Sequence, residues 1–168
     1  RFIYVPEQYG GVEPGGHGTG CGRILFGNNR SVASGITEIE AWPAGYFSRS
    51  VGVGSRNTSQ LEQMAASGVR IASHSWVAPG NYPVLYGVDR LVNEFDFLQV
   101  AGVNNGRNGR NQGLLGSAYN AIAVGRSDAN HPYSTVEVNE IYPEGRAKPD
   151  IVGPLNLTSH STPLVAAT

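Results

Sequence analysis

Charge is scarce in this sequence. Only 15% of its 168 residues are Asp, Glu, Lys or Arg, and twelve basic residues against thirteen acidic ones leave a net charge of −1. No surplus of positive charge favours nucleic acid or an anionic membrane surface, so neither is expected as a partner. A single cysteine, Cys21, rules out an internal disulfide. No apolar run approaches the ~18 residues of a membrane span. The chain opens at Arg1 with no initiator Met and no signal-peptide pattern, and it reads as a processed or trimmed chain.

Glycine, by contrast, is plentiful: its 23 copies imply many tight turns and close backbone approaches. The length and a hydrophobic content of 40% suit one domain with its own core, spanning residues 1–168. The clearest local signal is "NTSQLEQMAASG" (57–68). Ser59 and Glu62 form a capping box, Leu61, Met64 and Ala65 follow helical spacing, and Gly68 supplies the stop. Val84, Leu85, Val88, Leu91, Val92 and Phe95 make a second helical stripe. Short apolar strands are expected at 69–73, 97–103, 120–125 and 149–153, and another in "ITEIEAW" with Glu38 and Glu40 facing out. Strands alternating with helices predict an α/β fold with a parallel sheet covered on both faces.

The glycine-rich "GGHGTGCG" (15–22) does not bind nucleotides by any familiar pattern. Gly16 and Gly18 are followed by Cys21 where a dinucleotide fingerprint needs its third glycine, and no Lys-Ser/Thr pair makes a phosphate loop. The Gly-x-Ser-x-Gly elbow is absent as well. His17, His74, His131 and His160 lack compact ligand spacing, so no metal and no other cofactor is expected. Two polar residues stand out on their context: His17, boxed by glycines at a helix start, and Ser159, beside His160 ahead of a proline-containing run. Ser159 reads either as a helix cap or as a nucleophile.

Six separated segments, read together and in order, resemble one family, the subtilisin-like serine peptidases. "GGHGTGCG" is similar to the family's His-Gly-Thr-His-Val-Ala-Gly motif, and "SVASGITEIEAW" to the strand that follows it. "VRIASHSWV" resembles the strand ending Asn-Asn-Ser-Trp-Gly. "FLQVAGVNNG" with "SAYNAIAVGRSD" resembles the Ala-Ala-Gly-Asn-x-Gly turn and its sequel. "RAKPDIVGP" and "LTSHSTPLVAAT" are similar to the Lys-Pro-Asp-Ile-x-Ala-Pro and nucleophile motifs.

This resemblance implies a three-layer α/β sandwich with a mostly parallel central sheet, truncated at both ends, and a serine endopeptidase acting on peptides or proteins. It implies that Ser159 is the nucleophile at a helix start and His17 the general base. Asn104 is the implied oxyanion donor, with Asn105 next if the turn is shifted by one. Ser75, Trp76 and Val77 would line the substrate cleft together with Ala101, Gly102 and Val103. A secreted or extracytoplasmic location is implied on the same footing. His74, Asp128 and Asp150 read as structural.

The sequence departs from the family at one decisive point. The triad aspartate should precede the histidine, and the sixteen residues before His17 hold only Glu7 and Glu13 as acids. Three arrangements remain open. An upstream segment or another chain supplies the aspartate; the protein is a pseudoprotease that binds peptides without cutting them; or another acid serves. Gly20, Val103 and Leu157 also depart from the family's usual residues, and the helix opened by Ser159 is expected to continue past Thr168.

Overall fold

Residues 2–5, 15–29, 31–76, 82–107, 115–132, 134–136 and 146–168 are described by the structure, a computed structural model. In chain order the elements are β1 (Phe2–Tyr4), α1 (Gly16–Phe26), β2 (Ile39–Ala41), α2 (Ala44–Gly54), α3 (Thr58–Ala65), β3 (Ile71–His74) and α4 (Tyr82–Phe95). Then follow β4 (Leu98–Gly102), a 3-10 turn at Leu115–Ser117, β5 (Ile122–Arg126), β6 (Ser134–Val136), β7 (Arg146–Lys148), β8 (Ile151–Gly153) and α5 (Thr158–Ala166).

The central sheet is parallel, in the order β3-β4-β5-β8, with Ile71 opposite Leu98, Val100 opposite Ile122 and Val124 opposite Ile151. A parallel pair β1-β2 and an antiparallel pair β6-β7 complete the described strands. The strands run slightly shorter than the apolar pattern suggests, and "ITEIEAW" pairs only over Ile39–Ala41, where Glu40 accepts from Trp42 Nε1 at 3.0 Å.

Helices cover both faces of this sheet. Ala101 joins Phe47, Val51, Leu61, Met64, Val84, Val88, Leu91, Phe97 and the 115–121 segment in one apolar cluster, which places α2, α3 and α4 on its face. The next residue, Gly102, points the other way: a Cβ there would lie 2.7 Å from Thr162 Oγ1 of α5. Alternation along β4 therefore sorts the two helical layers. The expected α/β architecture, three layers about a parallel sheet, is the one observed.

Local chemistry explains most element ends. Asn57, not Ser59, caps α3: its Oδ1 accepts from Ser59 N at 3.1 Å and from Ser59 Oγ at 2.7 Å. Asn caps at least as well as Ser and stands two residues earlier, so the helix starts ahead of the expected capping box. Gly68 supplies the stop with φ +85. In α4, Val84, Val88 and Leu91 are buried at helical spacing. Its Gly87 brings α4 against α2, where a Cβ would meet Val51 O at 2.3 Å. The sequence reading places no helix at 44–54. Three glycines and two serines weaken the local signal there, and α2 is held by burial of Phe47 and Val51. α5 runs to Ala166, with Ala167 as its C-cap.

A polar seam closes the sheet beside β8. Lys148, whose side chain is 1% exposed, donates to Ala121 O and to Asp150 Oδ2, each at 2.7 Å. Ala123 N donates to the same carboxylate oxygen, and Arg146 pairs with Asp150 Oδ1 at 3.0 Å. Asp128 pairs with Arg126 and accepts from Asn130 N. Both aspartates thus hold turns and strands, as the sequence reading expects.

Candidate active site

Parallel sheets gather chemistry at the carboxyl ends of their strands, where the loops leave for the helices. Ser75 and Trp76 follow β3, Asn104 and Asn105 follow β4, and the segment after β8 leads into α5. α1 packs on α5. His17 is the second residue of α1 and Ser159 the second residue of α5, so two helix starts bring them into one neighbourhood.

Ser159 does not cap its helix. The N-cap is Leu157, which has no side chain able to accept a hydrogen bond. The first turn is instead anchored from β4's loop: Asn105 Oδ1 accepts from Thr158 N at 2.9 Å and from Thr158 Oγ1 at 3.2 Å. Ser159 itself is 8% exposed. Its position in the first turn puts it among backbone N–H groups that favour negative charge.

His17 is exposed, and its Nε2 donates to the carbonyl oxygen of Ser75 at 3.1 Å. A carbonyl only accepts, so that nitrogen carries the proton in this contact. The ring stacks with His160 at a centroid distance of 6.2 Å and 21° between planes. Cys21 Sγ lies 3.7 Å from His17 Nε2 and donates to Ser159 O at 3.2 Å. Burial pushes the thiol above its ordinary value of 9.0, outweighing the hydrogen bond with Ser75 that lowers it. The Ser75 hydroxyl donates to Ser159 O at 2.7 Å. One residue, Ser75, therefore touches both the histidine and the serine.

Among the described residues no hydrogen bond joins His17 to the Ser159 hydroxyl, and no carboxylate pairs with His17. Glu7 and Glu13 lie outside the described residues, as does Val77. Asn104 turns its Oδ1 back to Asn105 N at 2.8 Å. Trp76 is half-buried with its ring 5.9 Å from that of His74, while Ala101, Gly102 and Val103 are buried under their neighbours. His74 is packed at the strand end, as expected, with Nε2 donating to Gln99 Oε1 at 2.9 Å. Among the described residues no group of three His, Cys, Asp or Glu could hold a metal.

The sequence reading missed three contributors: Cys21, the Ser75 hydroxyl and the Asn105 cap. One signal in the sequence bears on the first two. Pro163, four residues after Ser159, announces that the serine's carbonyl lacks its helical partner.

Solved protease structures share this fold. A serine-to-alanine mutant of the protease domain of PatA matches with a TM-score of 0.55 at 18% identity, over 90% of this chain and 62% of that one. MycP3 protease from the type VII (ESX-3) secretion system matches with a TM-score of 0.51 at 16% identity, over 90% of this chain and 60% of that one. The chain thus spans about 60% of the length of these solved structures. No family model matches the sequence, and neither does any curated protein. At these identities the likeness establishes the fold alone: this chain shares the α/β fold of these protease domains, built on a parallel central sheet.

Proposed function

We propose that this chain is the core of a subtilisin-like serine endopeptidase, with Ser159 as nucleophile and His17 as general base. On this reading Ser159 Oγ bonds to the carbonyl carbon of a peptide while His17 takes the hydroxyl proton. The imidazolium then returns that proton to the leaving amine as the C–N bond breaks, and water releases the acyl group by the reverse path. The developing oxyanion is held by first-turn N–H groups of α5 and the side chain of Asn104, with Asn105 as the neighbouring alternative. Loss of such a side-chain donor costs on the order of 10²–10³ in turnover. Ser75 and Trp76 flank the bound peptide at the end of β3. The acid that orients His17 comes from an upstream segment or a partner chain.

The observation that carries this reading is the convergence of two helix starts, His17 on α1 and Ser159 on α5, on the single residue Ser75. Before the peptide bond can be attacked, His17 has to leave the Ser75 carbonyl and exchange its proton from Nε2 to Nδ1 through solvent, so that Nε2 is free to accept from Ser159. A peptide-binding module without catalysis is the second reading. It is favoured by that occupied Nε2 and by the lack of a carboxylate partner among the described residues.

A fluorophosphonate probe separates the two. The folded chain, assayed with any partner chain present, is expected to label at Ser159, and His17→Ala and Asn104→Ala to slow the labelling. A folded protein that binds peptides and never labels sinks the enzyme reading in favour of the binding module.

A further inference from the structure

Pro163 lies inside α5, four residues after Ser159. A residue at that spacing normally donates its backbone N–H to the Ser159 carbonyl, and proline has none to give. The pyrrolidine ring also crowds that carbonyl and turns it away from the helix. Left alone, the partly buried oxygen would go unpaired, at a cost to the fold. It is not left alone. Ser75 Oγ donates to it at 2.7 Å and Cys21 Sγ at 3.2 Å.

The two donors come from different elements, Ser75 from just past β3 and Cys21 from the second turn of α1. Both also reach the imidazole. Ser75 O accepts from His17 Nε2 at 3.1 Å, and Cys21 Sγ lies 3.7 Å from the same nitrogen. Burial, which holds the thiol protonated, keeps Cys21 a donor.

We propose that Pro163 frees the Ser159 carbonyl as a docking acceptor. Through it, Ser75 and Cys21 act as positioning residues that hold α1, and with it His17, in register with the nucleophile. The catalytic consequence rests on the peptidase reading above; the docking itself does not.

The test is a double-mutant cycle in the full chain, comparing Ser75→Ala, Pro163→Ala and the pair. Alone, Ser75→Ala is expected to slow fluorophosphonate labelling of Ser159 about fivefold, the worth of one hydrogen bond. In the Pro163→Ala background the restored N–H takes over the carbonyl, and the same change is expected to cost less than about twofold. Cys21→Ser, which keeps a donor, is expected to label like the parent, while Cys21→Val, of similar size without one, labels several-fold more slowly. Equal losses from Ser75→Ala in both backgrounds, or equal rates for Cys21→Ser and Cys21→Val, overturn the proposal. Should the chain never label, the cycle is read by thermal unfolding. Ser75→Ala is then expected to lower Tm by about 3 °C in the parent and by little beside Pro163→Ala. Equal falls overturn the docking claim whatever becomes of the peptidase reading.

Discussion

His74 ends β3 immediately before Ser75, and acid should act on the fold through it. The ring is 5% exposed, with Phe47 at a centroid distance of 4.7 Å and Trp76 at 5.9 Å. Its Nε2 donates to Gln99 Oε1, and Gln99 Nε2 donates in turn to Phe97 O, both at 2.9 Å. Burial disfavours the cation and pushes the group from 6.5 down to about 4, with the Gln99 hydrogen bond acting weakly the other way. Above pH 6.5 the ring is neutral in both folded and unfolded chains. Between 6.5 and about 4 only the unfolded chain takes up a proton, so stability falls with pH; below about 4 both states hold it and the loss levels off. At 1.36 kcal/mol per pH unit, that window amounts to roughly 3 kcal/mol. Urea unfolding of the parent and of His74→Phe at pH 7 and pH 4 measures it. The variant is expected to start lower by about 1–3 kcal/mol, because Gln99 Oε1 loses its donor. It should then lose roughly 3 kcal/mol less than the parent on acidification, since the carboxylates titrate alike in both. Parallel pH profiles would refute the reasoning.

Two further perturbations test how the frame around the site is held. Asp150→Ala strands the buried Lys148 ammonium, whose pKa burial already lowers. The expected loss in urea unfolding is about 3–5 kcal/mol, and Lys148→Met with Asp150→Asn should recover much of it. Asn105→Ala removes the borrowed cap of α5 and is expected to cost about 1 kcal/mol, with unchanged urea midpoints counting against that role.

The central sheet, α3 and α4 were legible because local patterning carries them. Val84, Val88 and Leu91 give α4, and the apolar cores of β3, β4, β5 and β8 stand out between turn residues. The placement of His17 on a helix start was legible from its flanking glycines, and that of Ser159 through the resemblance of its segment to the nucleophile motif. The contacts made across the fold were not legible. α2 carries too many glycines and serines to announce itself and is fixed by Gly87 letting α4 approach its backbone. That Asn105 caps a helix more than fifty residues downstream depends on β4 and β8 ending at the same edge, which no local pattern encodes. Pro163 by itself implies a carbonyl without its helical partner, and only the fold places Ser75 and Cys21 on it.

The same distinction governs the site itself. α1 holds glycine at 16, 18, 20 and 22, has no side-chain cap at Gly15, and buries none of its residues. Each interior glycine costs about 1 kcal/mol relative to alanine, so this helix has little stability of its own. A Cβ on Gly16, Gly18 or Gly20 would meet nothing within 4 Å among the described residues, so close packing against those residues does not demand glycine at these three positions. What holds α1 is its packing on α5 and its polar contacts at one end, from His17 to the Ser75 carbonyl and from Cys21 to the Ser159 carbonyl. A side chain on a weak helix takes its position from its neighbours, and for His17 those neighbours are the backbone of Ser159's helix and the end of β3. The geometry of His17 and Ser159 is therefore a tertiary property, adjustable by changes at Ser75, Cys21 or Pro163 that leave both side chains untouched.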